Sequence, residues 1–347
     1  AFSVGFWDFA LWRFLTGLGV GGEFAVGVSL VAEVMPDRAR SYALGLLQAL
    51  SAVGNISAAV IYLVLGNIES AGGLEGWQIA DRPVHAWRAM FLVGTVPALL
   101  AILIRRRLKE PERWKAVATE RTHPRLGSYS ELFGDARWRR HAIVGMLLAF
   151  AGIVGLWGIG FFSFDLFRSV FTKQFELAGM PPDEIKKNVA FWISMTSILQ
   201  NVGGFLGIWA YSRVTPHIGR RPAFAIAFVL AMLSTGMVFG TMNDRGQIFW
   251  MIPIMGFCQL ALFGGYAIYF PELFPTRLRS TGTSFCYNVG RYVAAIGPYT
   301  FGYLTSTIFA DRPEPMRYAG VAMCGIFLLG LIVLPFAPET KGQPLPE

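Results

Sequence analysis

Long apolar stretches alternate with short polar ones along this entire chain. One crossing of a bilayer by a helix takes about 17 to 25 predominantly apolar residues. Nine stretches meet that requirement, near 10–35, 42–66, 88–104, 142–164, 190–212, 222–241, 248–270, 282–308 and 318–336. None shows the two-residue polar–apolar alternation of a barrel strand, and each exceeds the roughly ten residues such a strand needs. The pattern predicts an all-α membrane protein with nine transmembrane helices.

Composition agrees: 54% of residues are hydrophobic, 15% are charged and the mean hydropathy is +0.48, too apolar for an ordinary soluble domain. A net charge of +8 would suit a nucleic-acid partner, so the placement of the charge decides the reading. Alternate connections hold 19 of the 30 Lys and Arg residues, against 8 in the opposite set. The richer set comprises Arg38 and Arg40, eleven residues between Arg105 and Arg140, Arg213, Arg220 and Arg221, Arg277 and Arg279, and Lys341. By the positive-inside rule these connections and the C-terminus are expected on the cytoplasmic side of an inner or plasma membrane, and no nucleic acid is needed. Cys258, Cys286 and Cys324 fall inside spans without ligand-like spacing and are read as packing residues. The histidines at 85, 123, 141 and 217 are scattered among loops and span ends. No nucleophile or metal constellation marks an enzyme, and no cofactor or metal is expected.

Two connections are nearly the same nine residues. "EVMPDRARS" at 33–41 repeats as "ELFPTRLRS" at 272–280, with Glu33, Pro36, Arg38, Arg40 and Ser41 answered by Glu272, Pro275, Arg277, Arg279 and Ser280. Each copy follows one span and precedes two more, and then comes "EPERW" from Glu110 or "PETKG" from Pro338. The order implies two parallel repeats. They are expected as 1–104, a basic cytoplasmic linker at 105–141, and 142–347. The second repeat has three spans before its copy-bearing span and the first has none, so the chain reads as a twelve-span protein lacking its first three spans. Parity agrees, and the sequence begins without an initiator Met.

Six plus six spans with these loop motifs resemble the major facilitator superfamily over essentially the whole chain. "LTGLGVGGEFAVGVSLVAEVMPDRAR", Leu15 to Arg40, is similar to the sugar-porter signature of the fourth span, with Leu30, Glu33 and Arg40 at the required spacings. "PERW" and "PETKG" resemble the motifs after the sixth and twelfth spans. The resemblance implies a transporter fold of two six-helix repeats, here spans 4 to 12, acting as a monomer. One departure is "PHIGRR", where Pro216 and His217 replace the Asp and first Arg of the family's D-R-x-G-R-R loop.

Alternating access in that family rocks one half against the other, which implies charged latches at the cytoplasmic ends. Glu33 with Arg38 and Arg40, and Glu272 with Arg277 and Arg279, are the expected ion pairs, with Glu112, Arg220 and Arg221 as further partners. The plainer alternative is that these arginines only anchor the helix ends.

Arg291 lies 16 residues past Pro275, roughly 24 Å along a helix and well inside the hydrocarbon. An Arg at that depth should face a cavity or a partner, and Asn288, Tyr292 and Tyr287 share its face. "ELFPTRLRSTG" followed by "GR" resembles the eleventh span of aromatic-acid/proton symporters and organic-anion transporters, which implies an anionic substrate at Arg291. A guanidinium offers a bidentate fork to a carboxylate and keeps its charge. A structural ion pair is the alternative. Glu23 lies 13 residues before Pro36, roughly 20 Å along its helix. Desolvation there would couple its protonation to conformation, unless it serves a fixed pair in the helix crossing. Arg13 sits nearer the outer end, where it can snorkel.

Further cavity candidates are Gln48, Trp157, Gln200, Asn201, Gln259, Tyr266 and Tyr269, each with interhelical hydrogen bonding as the alternative. Gly17, Gly19, Gly21, Gly22, Gly203, Gly204 and Gly207 are read as close-packing surfaces. The resulting expectation is a secondary active transporter of a small organic acid, coupled to protons, with a sugar or polyol as the alternative cargo.

Overall fold

The structure, a computed structural model, describes residues 2–79, 82–100, 115 and 126–346. Among the described residues seven helices are long and apolar enough to cross a membrane: α1 (Phe6–Val34), α2 (Asp37–Ser70), α5 (Ala136–Leu177), α6 (Pro182–Ile218), α7 (Arg220–Thr241), α8 (Arg245–Glu272) and α10 (Pro315–Phe336). A shorter apolar helix, α3 (Ala86–Leu100), and the helical segment α9 (276–308) complete the predicted nine. The short helix α4 (Tyr129–Gly134) precedes α5. A two-residue antiparallel pairing, Gln78–Ile79 (β1) with Arg82–Pro83 (β2), lies between α2 and α3.

Two elements differ from the sequence pattern. The basic stretch expected as linker to residue 141 already carries α4 and the start of α5 at Ala136, where the Asp135 carboxylate accepts the N–H groups of Arg137 and Trp138. The eleventh span is not one regular helix. It has π turns at Phe285–Val289 and Leu304–Ile308 and a break at Ala295. Pro298 accounts for the break, since its ring clashes with the carbonyl four residues back, at Ala294.

The C-terminal helices wrap α8, whose apolar window is 72% buried against 17% for that of α1. Glycine sets the closest approach. A Cβ on Gly203 or Gly207 of α6 would overlap the carbonyls of Pro253 or Phe257, and one on Gly256 of α8 would overlap that of Gln200. The two backbones therefore touch, the small-residue contact that holds membrane helices together where apolar burial offers little. Phe228, Phe224, Tyr266 and Phe270 stack in sequence between α7 and α8. On α1, a Cβ at Gly21 would meet Asn288 at 3.5 Å, and among the described residues nothing lies within 4 Å of one at Gly17, Gly19 or Gly22.

Candidate functional site

The two repeated segments meet at one end of the bundle. Both copies keep one internal bond: Arg40 Nε donates to Ala32 O at 3.0 Å, and Arg279 Nε donates to Pro271 O at 3.1 Å, eight residues back in each case. Their ion pairs differ from the local ones expected. Arg40 pairs with Asp37, and Arg279, fully buried, donates from Nη1 to Glu33 Oε1 at 2.7 Å. Arg277 pairs with Glu131 of α4 at 2.6 Å. Arg220 grips Glu272 with Nε at 3.0 Å and Nη2 at 2.7 Å, and the same Nη2 donates to Ser41 on α2 at 3.0 Å. Thr340 Oγ1 also donates to Glu272, at 2.6 Å. Arg40 and Arg279 both fold back to the carbonyl eight residues earlier, but the remaining donors of Arg40 reach Asp37 on its own helix, whereas Arg279 reaches Glu33 on α1. Arg38 is exposed, and Glu112 lies outside the described residues.

"PETKG" supplies a helix cap. Glu339 accepts the backbone N–H groups of Arg220 at 2.8 Å and Arg221 at 3.0 Å, at the positive N-terminus of α7. Gly219, with φ of 101°, turns the chain there, and a Cβ on it would press the Glu339 carboxylate. Burial raises the Glu339 pKa, but the N–H groups of Arg220, Arg221 and Lys341 outweigh it and hold the carboxyl below its ordinary 4.5.

From this end two seams join α1 and α2 to the C-terminal helices. Along the α1–α9 seam, Phe24 stacks on Tyr287 with ring centroids 4.0 Å apart, and Asn288 Nδ2 donates to Gly21 O at 2.7 Å. Beyond that contact the helices diverge around a cavity of about 450 Å³ lined by Phe14, Gly17, Leu18, Gly21, Gly22, Asn288, Arg291, Tyr292 and Ala295. The Arg291 guanidinium lies 4.8 Å above the Tyr287 ring. Among the described residues it is the one charged group in that lining.

Along the α2–α6 seam, Arg213 lies 4.7 Å over the Tyr42 ring, Gly45 abuts Ser212, and Asn55 Nδ2 donates to Asn201 Oδ1 at 2.9 Å. A second cavity of about 450 Å³ begins at that amide pair and takes in Tyr62, Trp157, Phe161, Ser194, Ser197 and Gln200, with no charged residue in its lining. Both seams are thus closed where the repeated segments meet and open farther along the helices. Trp157 and Asn288 each sit in a π turn, Val154–Ile159 and Phe285–Val289, where the widened turn shifts side chains off the regular helix face.

The predicted site residues therefore fall into four groups. Arg291, Asn288 and Tyr292 share one cavity, and Trp157, Gln200 and Asn201 share the other. Tyr266 and Gln259 line neither: Tyr266 is fully buried and donates to Leu148 O at 2.8 Å, and Gln259 donates to Thr235 Oγ1 at 2.7 Å. Tyr269 likewise donates to Pro338 O at 2.6 Å, and Gln48 is half-buried outside both cavities. Glu23 and Arg13 are exposed on α1, where desolvation of Glu23 was expected. Sequence reasoning missed Asn55, Ser41, Tyr42 and Glu131. Asn55, an amide two turns past Gln48 in the same apolar span, carried a readable signal.

A family model for the Major Facilitator Superfamily matches residues 1–298. The chain belongs to the Major Facilitator Superfamily. A protein of Haemophilus influenzae named for metabolite transport is 26% identical over 354 residues, covering 99% of this chain and 77% of that protein. The cis,cis-muconate transport protein of Acinetobacter baylyi is 29% identical over 326 residues, covering 92% and 71%. Among solved structures, the proton:xylose symporter XylE bound to 6-bromo-6-deoxy-D-glucose matches with a TM-score of 0.72 and 16% identity, covering 97% of this chain and 72% of that one. That likeness is one of fold. Membership of this family makes the chain an integral, multi-pass membrane transporter that takes a small molecule.

Proposed function

We propose that this transporter carries a small organic acid by alternating access, with Arg291 as the carboxylate anchor. One observation carries the reading: a half-buried guanidinium, held over Tyr287, is the one charged group of a 450 Å³ cavity. Pockets of that size hold small ligands, and a fixed guanidinium selects for a planar anion. The relative named for cis,cis-muconate, a dicarboxylate, supports the same class.

In this reading residues 1–104 and 142–347 move as two bodies about the described seams, and 105–141 joins them. The basic end is the cytoplasmic gate, formed by Glu33–Arg279 and by Arg220, which links Glu272 to Ser41. Its closure together with the open cavities corresponds to a state sealed on the cytoplasmic side. Proton coupling belongs to the same proposal, with Glu23 as the carrier, since it follows directly on the cavity-lining Gly22.

The uncharged second cavity favours a second reading, a sugar or polyol. Its amides, hydroxyls and the Trp157 indole suit a neutral polyhydroxylated ring. Uptake into proteoliposomes of labelled cis,cis-muconate and xylose, with and without an inward proton gradient, separates the two. Accumulation of muconate driven by the gradient is expected; accumulation of xylose alone would replace the organic-acid reading with the sugar one.

A further inference from the structure

A third cavity lies away from both seams, at the basic end of the C-terminal helices. It has a volume of about 530 Å³ and is walled by Arg137, Arg140 and His141 at the start of α5, Arg221 at the start of α7, and Phe336 and Pro338 at the end of α10. With Ala136 the lining has seven residues, four of them basic types, and among the described residues it contains no carboxylate. The nearest acids are already committed. Asp135 accepts the N–H groups that start α5, and Glu339 accepts those that start α7.

Backbone contacts fix the wall. Arg221 donates to Ala337 O at 2.5 Å and Pro335 O at 3.3 Å, and Arg140 donates to Phe336 O at 3.4 Å, which ties three helix ends around the cavity. Several guanidinium N–H groups remain on each arginine beyond these bonds, since each carries five. His141 Nδ1 must donate to Leu273 O, at 3.0 Å, because a carbonyl only accepts. In the neutral ring Nε2 is then an acceptor, suited to a hydroxyl.

The surroundings are those of a lipid rather than of free solvent. Leu328, Ile332 and Phe336, four residues apart on α10, are 46%, 65% and 57% exposed and form an apolar ladder from the bilayer interior to the cavity rim.

We propose that this cavity binds the phosphate of an anionic phospholipid with a hydroxylated headgroup, such as phosphatidylglycerol, whose acyl chains run along the α10 ladder. Arg137, Arg140 and Arg221 take the phosphate, as basic pockets between helix ends do, and His141 takes a headgroup hydroxyl. The site is separate from the cargo cavities and does not depend on what the transporter carries.

The test is native mass spectrometry of the purified protein titrated in detergent with phosphatidylglycerol, with phosphatidylcholine, and with phosphatidylglycerol in the presence of millimolar inorganic phosphate. One tight phosphatidylglycerol adduct is expected, favoured over phosphatidylcholine. At about a fivefold loss or more per basic group removed at a membrane surface, Arg137→Gln with Arg140→Gln should weaken it by at least about tenfold. Arg168→Gln with Lys173→Gln removes the same charge from the other end of α5 and should leave the adduct unchanged. Equal affinity for the two lipids, or equal loss in both double variants, overturns the site. Full displacement by inorganic phosphate overturns the lipid and leaves a free-phosphate site. Because no cargo is involved, failure here leaves the transport reading standing.

Discussion

Arg279 donates to Glu33 across 246 residues of chain, and the pair is almost wholly removed from solvent, with side-chain exposures of 0% and 7%. It joins the two copies of the repeated segment. Removing one partner of such a pair leaves an uncompensated buried charge, which costs about 3 to 5 kcal/mol. In the proposed gate, the pair belongs to the state sealed on the cytoplasmic side, so its loss would also shift the population of states. Glu33→Gln should therefore lower the thermal unfolding temperature and raise labelling of a Ser29→Cys reporter from the basic side. Glu33→Gln combined with Arg279→Gln should recover part of the stability while keeping the raised labelling. Unchanged labelling in both variants would show that the pair is no latch.

The repeat was legible in the sequence, and so was the presence of a charged cluster at its helix ends. The partners were not. Spacing places Glu33 beside Arg38 and Arg40, but Arg40 and Arg279 both turn back to the carbonyl eight residues earlier; Arg40 then takes the local Asp37, and only the packing of α1 on α9 brings Arg279 to Glu33. Likewise Arg291 was readable as a cavity residue from its depth, whereas Tyr266 and Gln259 looked the same in sequence and point into the helix-packed core. Depth along a helix follows from counting residues. Rotation about its axis depends on neighbours, and the π turn at Phe285–Val289 changes that rotation within α9.

The α6–α8 crossing gives a sharper test of packing. At Gly207 an added methyl meets the Phe257 backbone carbonyl, which cannot move aside as a flexible side chain can. Overpacking of this kind costs about 1 to 3 kcal/mol. Gly207→Ala should lower thermal stability in detergent by that order, and Gly236→Ala, with nothing within 4 Å of the new methyl, should be neutral or slightly stabilising. Equal behaviour of the two variants would mean that the backbones do not touch.

Glu339 links the C-terminal segment to α7 in a pH-dependent way. Its folded pKa lies below the unfolded value near 4.5 because N–H donors outweigh the effect of burial. The carboxylate cap is therefore fully present above the unfolded value and is lost as pH falls through the lowered folded one. Between neutral pH and about pH 5, Glu339→Gln should be less stable than the parent by a constant margin. The margin should shrink as the solution is acidified further. Unfolding temperatures of both proteins from pH 7 to pH 3 measure it, and a margin that grows on acidification would contradict the cap.

In the proposed function Arg291 is the residue that sets the class of cargo. It offers both a charge and a planar fork, and Tyr287 supports the guanidinium from one side. Arg291→Lys retains the charge without the fork, and Arg291→Gln retains neither. A carboxylate bound there should lose affinity in two steps, with about 1.5 to 3 kcal/mol for a hydrogen bond to a charged group removed at each, or roughly tenfold and then at least tenfold again. Tyr287→Phe keeps the aromatic face and should change affinity little, which separates loss of the anchor from general disturbance of the α1–α9 seam. A neutral sugar held in the second cavity would respond instead to Trp157→Ala and Asn201→Ala, because those side chains line it and Arg291 does not. The measurement is the apparent affinity for cis,cis-muconate and for xylose in all five variants. If muconate is carried and Arg291→Gln binds it as well as the parent does, the guanidinium is a structural element of the seam, and the organic-acid assignment loses the observation on which it rests.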